Sequence, residues 1–90
     1  MARRGNVETL LVLKLQPVAV DTGSLDRDGM LIIANGLLVG VLVRLDAPEH
    51  AHPGYWFLEA GFGPLQGVRV DAFPTLDHAT RWVRRHHLNR

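Results

Sequence analysis

The chain has no cysteine, a single serine (Ser24) and a single lysine (Lys14). Without cysteine there are no disulfides, thiolate metal sites or cysteine nucleophiles, a composition suited to a reducing compartment. Ser24 lies in a turn-rich stretch with no Gly-x-Ser-x-Gly around it, so serine hydrolysis is poorly supplied and covalent routes are few. A charge excess of either sign is also missing. The formal net charge of +1 does not by itself call for a polyanionic partner. There is no internal repeat and no low-complexity segment.

Long apolar runs are absent as well. "MLIIANGLLVGVLV" is free of charge for fourteen residues, short of the roughly 20 that cross a bilayer, and Asn35-Gly36 at its centre is a turn signal. The basic start and apolar run of "MARRGNVETLLVLKLQPVAV" are broken by Glu8, Lys14 and Pro17, which argues against a signal peptide. The expectation is a soluble, cytoplasmic protein with no membrane partner.

What is present is a globular composition, 47% apolar and 21% charged, in 90 residues. That length makes one small domain, residues 1–90, burying roughly 60–65% of its unfolded surface. Residues 1–6 are expected to be disordered, and 21–29 to form a loop joining an N-terminal strand to the sheet.

That strand is read within 7–20, ending at or before Pro17, which cannot donate to a ladder. "DTGSLDRDG" then collects turn-forming residues. Its Asp26-x-Asp28-Gly29 resembles part of a calcium loop, but the further oxygen ligands and the closing glutamate are missing, so a tight turn is the better reading. "LIIANGLLV" is the strongest local signal: two aliphatic runs around Asn-Gly, whose tolerance of positive φ suits a type I′ hairpin. A regular register would pair Ala34 with Leu37, Ile33 with Leu38 and Ile32 with Val39. One face would then carry Met30, Ile32, Ala34, Leu37, Val39, Val41 and Val43. The other would carry Leu31, Ile33, Leu38, Gly40, Leu42 and Arg44.

After the polar loop "DAPEHAHPG", the stretch "YWFLEAGFG" alternates Trp56, Leu58, Ala60 and Phe62 against Tyr55, Phe57, Glu59 and Gly61. "GPLQG" turns the chain into a last short strand, "VRVDAF", with Val68, Val70 and Ala72 inward. Thr75 is a good helix N-cap with Asp77 in the first turn, and Leu76, Ala79, Trp82/Val83 and His86 recur at helical spacing. The outline is an α+β domain: an antiparallel β-sheet of four to five strands, a hairpin meander, with one C-terminal α-helix packed on one face.

Both faces of the hairpin are apolar, whereas a sheet with one wet face alternates apolar and polar residues. A single helix covers a single face. The other must be covered by the N-terminal segment, a second copy of the chain, or a partner.

Candidate sites follow from this. Glu59 stands among apolar and glycine residues. A carboxylate in a cleft could move protons, and a small enzyme or ligand-binding protein with its site near Glu59 is one alternative. No second carboxylate or base sits at a recognisable spacing, and a charge pair with Arg44 or Arg69 on a neighbouring strand explains Glu59 more simply. "GFGPLQG" is a hairpin connection and not a phosphate cradle, because a strand follows it and Pro64 removes an N–H. His50 and His52 in the loop, and His86-His87 on the helix, lack the further ligands a metal site needs. No catalytic residue, metal or cofactor is assigned.

The segment from Thr75 to Arg90 carries +3 while the rest of the chain sums to −2. Arg81 and Arg85 lie one turn apart with His78 beside them, a stripe able to bind phosphates of a nucleic acid. In "F-x-T-x-x-x-A-x-x-W" (Phe73, Thr75, Ala79, Trp82), following a sheet, the stretch from about Leu37 to Leu88 faintly resembles the AP2-type and integrase-arm DNA-binding domains. The resemblance implies DNA read by arginines on the sheet, where this chain has Arg44 and Arg69 beside Glu59 and Asp71. The favoured expectation is a non-catalytic interaction module, a homodimer or the binder of a protein partner, with Tyr55, Phe57, Glu59 and Arg44 on its surface. Nucleic-acid binding through His78, Arg81 and Arg85 is the alternative.

Overall fold

The computed structural model describes residues 10–88. The expectation of disorder over 1–6 lies outside them. Four strands, β1 (Leu13–Ala19), β2 (Asp28–Ala34), β3 (Leu37–Arg44) and β4 (Trp56–Gly61), form an antiparallel meander in the order β1-β2-β3-β4. Helix α1 (Leu76–Leu88) closes the chain. The α+β architecture read from the sequence is the one observed.

The β2–β3 turn is the Asn35-Gly36 hairpin, with φ of 50° and 85° at its two residues, and Ala34 pairs with Leu37 and Ile33 with Leu38 as expected. The next pair departs from the regular register. Ile32 faces Gly40 instead of Val39, because Val39 is an extra residue on β3. A one-residue bulge sends every later side chain to the opposite face. Leu42 and Arg44 therefore join Met30 and Ile32, while Val41 and Val43 join Leu31 and Ile33, the reverse of the regular-register assignment. Val39 and Gly40 both end up buried, and a Cβ on Gly40 would sit 3.2 Å from Leu58 Cδ1 and 3.4 Å from Leu65 Cδ1. A second bulge lies on β4, where Leu42 pairs with Leu58 and Val41 with Ala60, leaving Glu59 unpaired.

Strand β1 runs through Pro17, two residues beyond the expected stop. It can do so because β1 is an edge strand. Val12 accepts from Asn35 and Val20 donates to Arg27, so the even-numbered residues of β1 bond toward β2. With a continuous register, the backbone polar groups of Leu13, Leu15, Pro17 and Ala19 point to the outer edge, where a missing N–H costs the ladder nothing. Asp28-Gly29 belongs to β2, paired with Val18 and Ala19, so the expected tight turn at 26–29 is not formed and the loop spans 20–27.

The expected last strand is also replaced. Gly61 packs so closely on Leu65 that a Cβ there would lie 2.1 Å from the Leu65 carbonyl oxygen, and the chain turns through a short 3₁₀ segment, Gly63–Leu65. Segment 68–72 then diverges from β4, and only Phe73 pairs, exchanging two 2.7 Å backbone hydrogen bonds with Trp56.

Thr75 caps α1 as expected, its Oγ1 accepting from the His78 N–H at 3.1 Å. The helix lays Ala79 and Val83, both 0% exposed, on Ile32, Leu42, Trp56, Leu58, Leu65 and Phe73. Leu13 and Leu15 of β1 extend this core at its margin.

Candidate interaction surface

The face of the sheet turned away from α1 is the first candidate. Cross-strand partners share a face, so the register fixes its contents. Lys14 stands level with Ile33 and Leu38; Gln16 with Leu31, Val41 and Ala60; and Val18 with Gly29, Val43 and Phe57. Glu59 projects beside Ala60 at the β4 bulge. Leu31, Ile33 and Val41 are half-buried, while Leu38 is 42% and Phe57 39% exposed. The strip is thus apolar across its middle, with a cation on its first strand and a carboxylate on its last.

One end of this face is fastened by a contact that the sequence reading missed. The Asp26 carboxylate, on the first loop, accepts the backbone N–H groups of Asp46 and Ala47 at 2.7 Å each through Oδ1, and its Oδ2 lies 2.6 Å from His50 Nε2. Its own backbone is fixed in turn. The Asp26 N–H donates to Ser24 Oγ at 3.0 Å, and Thr22 Oγ1 donates to the Asp26 carbonyl at 2.6 Å. Asp26 is 8% exposed. Burial pushes its carboxyl up, but the Ala47 N–H, the His50 ring and the Asp46 N–H together outweigh that and hold it below the ordinary carboxylate range. The clamp ties the loop 20–27 to the loop after β3 and shuts in Ala47 at 2% exposed. A buried, turn-forming Asp is a weak signal in sequence, and its partners lie 20 to 24 residues away.

Asp26 and His50 border a shallow hollow with Leu45, Phe57 and Glu59. Glu59 is exposed there and, among the described residues, makes no hydrogen bond or ion pair. The pairing expected with Arg44 or Arg69 is not formed with either. Arg44 sits on the helix-covered side at the end of the sheet, ion-paired to Asp28 and Asp46, with its guanidinium 5.8 Å from the centre of the Trp56 ring. Its Asp46 hydrogen bond outweighs burial and, with Asp28, raises its affinity for the proton. Arg44 therefore does not share a surface with Phe57 and Glu59. Tyr55 is half-buried against His52, their rings stacked 4.7 Å apart. His52 and His50 are thus engaged separately, and no cluster of three or more potential metal ligands occurs among the described residues.

On α1, Arg81 pairs with Asp77 at 3.0 Å, and Arg84 donates to the Leu11 carbonyl at 2.9 Å. His78 is held at the N-cap, its Nδ1 2.7 Å from Thr75 Oγ1, and Arg85 is exposed. Of the motif residues behind the DNA-binding resemblance, Phe73 and Ala79 are buried core, Trp82 packs on Phe73 and His86, and Thr75 is the cap. No helix among the described residues is long and apolar enough to cross a membrane.

Comparison with protein-family models, curated proteins and solved structures finds no match to this chain.

Proposed function

We propose that the chain is a small cytoplasmic, self-associating interaction module, without a catalytic centre, that binds through the sheet face α1 leaves open. The observation that carries this reading is the half-exposed apolar strip on that face, with Phe57 at 39% and Leu38 at 42% exposed. Contiguous apolar surface with an aromatic residue and few charges is what protein interfaces favour. The strip lies on paired strands, so a partner would meet a surface already in place and lose little freedom by ordering it.

The competing readings have less support. Glu59 is exposed, and His50, which lines the same hollow, is engaged by Asp26, so no hydrogen bond pairs the two for proton transfer among the described residues. Of the basic stripe, Arg81 is engaged by Asp77 and His78 by Thr75, leaving Arg85 to meet a phosphate.

Phe57→Arg tests the reading, since it places a charge in the strip while leaving the buried neighbours Trp56 and Leu58 in place. Immobilised wild-type chain is expected to retain protein, whether further copies or another chain, and the variant to lose it with an unchanged circular-dichroism spectrum. Equal retention by a folded variant removes the reading.

A further inference from the structure

We propose that the open face is covered by a second copy of the chain, the two sheets packing face to face about a two-fold axis running along the strands. The inference rests on the interaction reading above and names its partner. It follows from where the two charges lie. Lys14 is on β1, the first strand of the sheet, and Glu59 is on β4, the last. Between them the face offers Ile33, Leu31, Val41 and Leu38. Neither charged residue has an ion-pair partner among the described residues.

An isologous interface sets the same patch against itself, so the axis decides which charges meet. With the axis across the strands, β1 lies over β1 of the other copy, and Lys14 meets Lys14 and Glu59 meets Glu59. With the axis along the strands, β1 lies over β4, and Lys14 of each copy meets Glu59 of the other, twice per dimer. The two positions differ by one row along the strand, about 7 Å, a gap that long Lys and Glu side chains span. The apolar middle is then shut between them. Since α1 already occupies the far face, the assembly stops at two.

Four strands at about 4.8 Å spacing and six residues' length give a footprint of about 400 Å² per copy, near half of an ordinary stable interface. The dimer is therefore a weak one, visible in the micromolar range and above.

The experiment is sedimentation equilibrium of the full chain across a hundredfold concentration range, with the charge reversals Lys14→Glu and Glu59→Lys. Wild-type mass is expected to rise toward twice that of the chain. Each reversal alone turns both attractions into repulsions and weakens self-association by about tenfold. An equimolar mixture of the two variants pairs an all-acidic face with an all-basic one, so it associates at least as tightly as wild type. A constant monomer mass overturns the inference. So does a dimer indifferent to both reversals and to mixing. With a constant monomer mass, loss of retained protein by Phe57→Arg would leave the open face as the binding site of another protein, and only self-association would fall.

Discussion

The two faces of the sheet are built from the same four strands and nearly the same residue types, yet their states differ. Beneath α1, Ile32 is 0% and Leu42 1% exposed, while on the other side Leu38 is 42% exposed and Ile33 and Val41 are half-buried. Composition does not separate them. What separates them is the cover: a helix with Leu65 and Phe73 on one side, and on the other, among the described residues, only the loops clamped by Asp26 at one end, where Val43 is 1% exposed. An apolar side chain is a core residue only where a second layer removes it from water.

That contrast is sharpest under truncation. Leu42→Ala leaves a cavity between sheet and helix and is expected to cost about 2–5 kcal/mol in urea unfolding. Leu38→Ala, four residues earlier on β3 and on the opposite face, should cost less than about 1 kcal/mol at concentrations where the chain is monomeric. Equal losses would mean that the second face is covered within the monomer after all.

A smaller effect tests how the helix-side layer is seated. Gly61→Ala puts a methyl group where the Leu65 carbonyl lies, so the 3₁₀ turn must shift and lift Leu65 from the core. The expected cost is about 1–3 kcal/mol by urea unfolding, with the open face unaffected. A neutral result would show that Leu65 repacks freely.

The smallest effect concerns the clamped end of the open face and depends on pH. The folded-state carboxyl of Asp26 is held below its unfolded value of about 3.8, so its contribution is complete above about pH 5. It is lost as the pH falls below about 4 toward the folded value. Asp26→Asn should lower the unfolding midpoint at pH 7 and flatten the decline of stability with acid in a pH series of urea melts. An unaltered acid limb would mean that the carboxylate does not hold the loops.

Legibility in the sequence followed the range of the interaction. The Asn35-Gly36 turn, the Thr75 cap and the amphipathic run of α1 are local and were readable, and with them the fold class. The Val39 bulge was not, because nothing in "LLVGVLV" marks where the register slips. That single slip moved Arg44 off the proposed surface and Val41 onto it. The divergence of 68–72 depends on Gly61 meeting Leu65 across a turn. The Asp26–His50 clamp joins residues 24 apart. Of the surface read at the outset, Phe57 and Glu59 remain together, Tyr55 stacks on His52, and Arg44 is elsewhere.

Pro17 has a bearing on what the chain does in a crowded solution. The outer rim of β1 presents backbone groups at Leu13, Leu15 and Ala19, the template on which another strand would add and from which fibrillar stacking grows. Pro17 interrupts that template from the inside of the row, and neighbouring Lys14 sets a charge near it. Strand-by-strand growth along that rim is thereby hindered.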